Sequence, residues 1–96
     1  MYSQDELVGL YGFLKNTGEG NLRKMMVAGK MTDAHLRILL KIVRSSKENE
    51  FAEFVQNGSF PKMKFNAGEL ALKETFWTCC IEAFTTLGLL TKAKAA

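Results

Sequence analysis

Four helix-start signals punctuate this chain: Ser3 with Glu6, Thr32, Ser45 with Glu48, and Asn66 with Glu69, each just ahead of apolar residues spaced three and four apart. A capping oxygen satisfies amide groups that a helix start leaves without partners, so its position marks where a helix can begin. Strand-like alternation occurs only where Lys62 and Lys64 interleave with Met63 and Phe65, too short a run to form a sheet alone. The pattern predicts an all-α chain: one small single domain over residues 1–96, with four or five helices in an orthogonal array or bundle.

The first helix is expected from about Gln4 to Lys15. Its Gly9 and Gly12 cost roughly 1 kcal/mol each relative to Ala, which points to a close backbone crossing or to a weak helix held by tertiary packing. A second helix spans Asn21 to Ala28, with Gly29 as its stop, and a third follows the Thr32 cap to about Arg44. On the third, Leu36, Ile38, Leu39, Leu40, Ile42 and Val43 cover most of the circumference and leave one narrow polar stripe. A fourth starts at Ser45 and stops at Asn57-Gly58. Pro61 then forces a short extended connector, and a fifth helix runs from about Ala67 to Leu87 before Gly88. Leu89 and Leu90 fold back on its last turn, and Thr91 to Ala96 is expected to fray.

With 47% hydrophobic and 24% charged residues the chain can fill one core without a metal or a disulfide. Its only cysteines, Cys79 and Cys80, are neighbours, which cannot close a stabilising loop and fit a reducing, cytoplasmic setting. The polar, acidic start lacks the form of a secretory signal, and no apolar run is long enough for a membrane span.

The inventory of reactive groups is thin. His35 stands alone with no nucleophile placed beside it, and both cysteines fall mid-helix among Phe76, Trp77 and Ile81, where packing is the simpler role. Gly18-Glu19-Gly20 lacks the strand and the Lys-Ser or Lys-Thr of a phosphate loop. The expectation is a non-enzymatic protein with no cofactor and no metal.

Charge is sorted by region. The 27 residues from Asn21 to Lys47 hold seven bases and one acid, net +6, and the segment from Glu48 to Gly58 that follows is −3. Arg37, Lys41 and Arg44 fall in one row on the third helix, with Arg23 and Lys24 nearby in sequence. Such a row reads as a solvated or internally paired face, a contact for an acidic protein, or a phosphate contact, and its meaning turns on whether Glu48, Glu50 and Glu53 fold against it or leave it open. A helix-turn-helix fits poorly, because the candidate recognition helix is mostly apolar and lacks Asn or Gln to read base edges. Phe60 and Phe65, beside Lys62 and Lys64, could stack bases but are better placed as inward anchors.

The leading expectation is a cytoplasmic regulator or adaptor that works by protein–protein contact. It self-associates as a homodimer through the first helix, the fifth helix or the connector, aided by adaptable Met25, Met26, Met31 and Met63. The alternative is a nucleic-acid-binding protein using Arg37, Lys41 and Arg44.

Overall fold

The computed structural model describes residues 2–91. Six helices make up its regular structure: α1 (Gln4–Asn16), α2 (Glu19–Ala28), α3 (Asp33–Ser45), α4 (Glu48–Asn57), α5 (Ala67–Ala71) and α6 (Lys73–Thr86). Among the described residues there is no strand, and no helix is long and apolar enough to cross a membrane. The fold is all-α.

Three helix starts follow the sequence signals: Ser3 caps α1, its Oγ accepting from the Glu6 amide, and Thr32 and Asn66 cap α3 and α5. Thr32 Oγ1 accepts from the His35 amide, and Asn66 and Glu69 exchange side chain and amide at 2.8 Å in both directions, closing a full capping box. The fourth does not. Ser45 is the last residue of α3, and the cap of α4 is Lys47, whose amide donates to the Glu50 carboxylate at 2.8 Å. The buried Ser46 turns the corner: its hydroxyl donates to the Ile42 carbonyl, and its own carbonyl accepts from the Tyr11 hydroxyl at 2.7 Å. The α2 helix likewise begins two residues before the expected Asn21, with Gly18 as its cap.

The expected single fifth helix is two. Leu72 sits at φ −93°, ψ 0°, and its amide donates to the Glu69 carbonyl in a three-residue turn rather than continuing the α ladder. This break lets α6 aim Phe76, Cys80, Ala83 and Phe84 at the core, while α5 stays outside with Leu70 52% exposed.

The α3 helix is central. Its Ile38, Leu39 and Ile42 are fully buried, and α1, α2 and α6 pack against it, with α4 closing the array between α1 and α6. From those helices come Leu7, Leu10 and Leu14, Leu22 and Met26, Phe51, Phe54 and Val55, and Phe76 and Phe84. Each such side chain stabilises the fold by roughly 1.5–3 kcal/mol relative to leaving it in water. The connector between α4 and α5 carries no helix but is pinned by buried Pro61 and half-buried Phe60, Met63 and Phe65. The tail expected to fray lies, beyond Thr91, outside the described residues; Thr91 itself is tied to Glu6.

Candidate interaction surface

The polar stripe of α3 meets acids, and they are not Glu48, Glu50 or Glu53. Arg37 pairs with Asp33 one turn back at 3.0 Å; Arg23, from α2, reaches the same carboxylate at 2.9 Å and Glu19 at 3.9 Å; Arg44 pairs with Glu19. The result is a ladder of alternating charge, Arg44, Glu19, Arg23, Asp33, Arg37, that stitches α2 to α3. Glu50 is occupied with the Lys47 amide and Glu53 accepts from Asn57, because α4 packs on α1 and α6 rather than along this stripe. The ladder's three guanidiniums and two carboxylates leave it with one net positive charge.

Lys41, in the same row, is consumed on the other side. Its ammonium donates to Glu69 and to the Lys64 carbonyl, both at 2.8 Å, and lies 5.1 Å from the centre of the Phe65 ring. The Lys41 hydrogen bond, with a second from the Asn66 amide, holds the Glu69 carboxyl below its ordinary range. This contact docks α5 and the connector onto α3.

Phe60 and Phe65 pack together at 5.3 Å, and Phe60 stands edge-on to Phe54 and Phe76 at 5.7 and 5.6 Å. They are anchors. Lys62 and Lys64 point outward from the connector, and Lys24 is exposed on α2; none of the three forms an ion pair among the described residues. The nine residues singled out from the sequence therefore do not converge on one surface. Arg23, Arg37 and Arg44 share the ladder, Lys41, Lys64 and Phe65 meet at the connector with Phe60 beside them, and Lys24 and Lys62 stand apart.

The reactive groups are likewise absorbed into packing. His35 bridges Thr32 and Thr75 through its two ring nitrogens, at 2.6 and 3.1 Å, and stacks on Phe76 with ring centres 6.2 Å apart, tying the start of α3 to α6. Burial pushes the Cys80 thiol well above its ordinary range and raises Cys79 as well. No group of three or more His, Cys, Asp or Glu side chains converges as metal ligands would, among the described residues. A cleft of about 230 Å³ floored by Leu14, Leu22, Leu40 and Val43 lies between α1, α2 and α3, and more open depressions of about 380, 400 and 510 Å³ lie elsewhere on the surface, the last lined by Gly29, Lys30, Cys79, Ile81 and Glu82.

The chain matches no known protein family, no curated protein and no solved structure.

Apolar surface left open is found elsewhere. Met26 and Met31 are buried and Met25 and Met63 half-buried, so the adaptable methionine surface expected from the sequence is largely taken up inside. The large hydrophobic side chains that remain exposed are Val8 at 37%, Phe13 at 42%, Val27 at 61% and Leu70. Two of these are on α1, on the same side as Gly9 and Gly12. A Cβ built on either glycine meets nothing within 4 Å among the described residues, so of the two readings of these glycines the close crossing is not made inside the molecule. What the glycine spacing could not show is that α3 and α4 pack on the opposite side of α1, against Leu7, Leu10 and Leu14.

Proposed function

We propose that this protein is a non-enzymatic helical interaction module of the cytoplasm, a regulator or adaptor that contacts other proteins and pairs with a second copy of itself. The observation that carries the reading is the outer face of α1. Val8 and Phe13 are partly exposed beside two glycines that cost helix stability and have no packing partner among the described residues. The basic row supports the same choice from the other direction. A phosphate-binding stripe gains affinity from free cations, and here the row's charge is spent on Asp33, Glu19 and Glu69. Nucleic-acid binding through Arg37, Lys41 and Arg44 is thereby the less favoured reading.

Sedimentation equilibrium of the purified chain from about 10 μM to 1 mM tests self-association; the mean mass should climb toward that of a dimer across this range, weak association being what a small interface gives. A mass fixed at that of one chain would remove self-association from the reading. A parallel titration of labelled single-stranded RNA and duplex DNA at about 50 mM salt should show no saturable binding, whereas binding abolished by Arg37→Glu with Lys41→Glu would install the alternative.

A further inference from the structure

We infer that α1 pairs antiparallel with α1 of a second copy, about a two-fold axis that runs between the two helices at the level between Leu10 and Tyr11. The inference rests on the self-association reading and names its surface. At 100° per residue the open face of α1 runs, in angular order, Val8, Gly12, Asp5, Asn16, Gly9 and Phe13, over an arc of about 140°. Val8 and Gly12 form one flank, Gly9 and Phe13 the other.

A two-fold axis at that level sets position 8 opposite position 13, and 9 opposite 12. In an antiparallel pair each flank faces the same flank of the other copy, so Phe13 falls over the second copy's Gly9 and Val8 over the second copy's Gly12. Each large apolar side chain thus meets a position with no side chain, and each glycine acquires the close neighbour it lacks inside the molecule.

Charge selects the same direction. Asp5 lies on the face near one end of α1, and Lys15 lies just beyond its Val8 flank near the other; neither makes an ion pair among the described residues, and the Lys15 ammonium rests 5.5 Å from the centre of the Tyr11 ring on its own helix. The antiparallel arrangement brings Asp5 of each copy to Lys15 of the other, twice by symmetry. A parallel arrangement would set Asp5 beside Asp5 and Lys15 beside Lys15, which repel. A face of thirteen helical residues is only about 20 Å long and falls short of the roughly 800 Å² per partner of a tight dimer, so the pair assembles at about 100 μM rather than at nanomolar concentration.

Two measurements on the full chain test this. Val8→Gln with Phe13→Gln, both at exposed positions, should keep the helical circular dichroism and weaken dimerisation at least about tenfold, while Val27→Gln with Leu70→Gln leaves it unchanged. Separately, Asp5→Cys and Asn16→Cys chains are mixed and oxidised, with the bridged peptides read by mass spectrometry so that Cys79 is not confused with them. Positions 5 and 16 lie about 16 Å apart along the helix. Mixed 5-to-16 bridges are therefore expected, and neither chain alone should bridge at the new cysteine.

Dimerisation that survives Val8→Gln with Phe13→Gln would leave self-association standing and overturn the α1 contact. Bridges between two copies of position 5 would overturn the antiparallel direction. A chain that stays monomeric to about 1 mM would overturn both this inference and the reading beneath it, and would give the face to a different protein.

Discussion

Glu6 joins the two ends of the described chain. Its carboxylate accepts from the Thr91 hydroxyl at 2.6 Å and from the Thr91 amide at 2.7 Å, and those two bonds, the hydroxyl's first, hold its pKa below the ordinary carboxylate range. A carboxyl depressed in the native state stabilises the fold above its unfolded pKa, near 4.3, and that contribution is lost as pH falls through the native value. Thr91→Val should therefore raise the Glu6 midpoint toward the ordinary range in an NMR titration and lessen the loss of stability on acidification. An unchanged midpoint would show that the hydroxyl does not hold the charge. In the sequence Glu6 reads as the far half of a capping box with Ser3, and half of that holds: Ser3 Oγ accepts from the Glu6 amide at 3.2 Å. The carboxylate goes instead to a residue 85 positions away, a partner that no local pattern can indicate. Lys30 was hidden for a related reason. It takes the left-handed conformation at φ 67° in the cap that ends α2, with the Lys30 amide on the Val27 carbonyl and the Met31 amide on Met26, whereas Gly29, the expected stop, is at φ −81°.

At the scale of elements, the glycines separate two kinds of demand. Gly29 is required by packing: a Cβ there would lie 3.1 Å from Ala83 Cβ, 3.2 Å from Leu87 Cδ1 and 3.3 Å from the Ala83 backbone, where α2 touches α6. Gly29→Ala should cost about 1–3 kcal/mol, because the α6 backbone has to shift. Gly9→Ala and Gly12→Ala meet open space and should each stabilise the fold by about 0.5–1 kcal/mol. Urea unfolding at low micromolar concentration, where the chain is monomeric on the affinity argued above, measures all three; the signs should differ, and a shared sign would mean that the surroundings of Gly29 or of α1 are misplaced. The helices themselves were largely legible, since periodicity and caps are local properties and α3 in particular buries the six residues its pattern names. Boundaries set by competing bonds were not: Ser45 offered a cap, but Lys47 with Glu50 took the role, and at Leu72 tertiary docking of Lys41 on Glu69 accompanies a break that the apolar pattern passes over. The charge row was legible as a row, and its partners were not, because Asp33 and Glu19 become its neighbours only once α2 lies along α3.

For the molecule as a whole, the aromatic cluster decides how far the connector shares in the fold. Phe76 lies 5.3 Å from Phe54 and 5.6 Å from Phe60, and Phe60 in turn holds Phe65, so α4, α6 and the segment between α4 and α5 meet at one ring. Phe84 is equally buried on the same helix but belongs to no such ring cluster. Truncating either to Ala should cost about 3–5 kcal/mol, a large part of the 5–15 kcal/mol expected for a domain of this size. The local consequences should differ. The connector has no helical hydrogen bonds of its own, so without Phe76 its Phe60 and Phe65 anchors lose their seat and Lys62 and Lys64 become open to trypsin while the helices are still formed. Limited proteolysis at sub-denaturing urea concentrations chosen to match the two variants in global stability should thus show early cleavage after Lys62 or Lys64 in Phe76→Ala and not in Phe84→Ala. Equal cleavage in both would mean that the connector opens only when the whole chain unfolds, and that the ring cluster acts as undivided core rather than as the clasp of a separable segment.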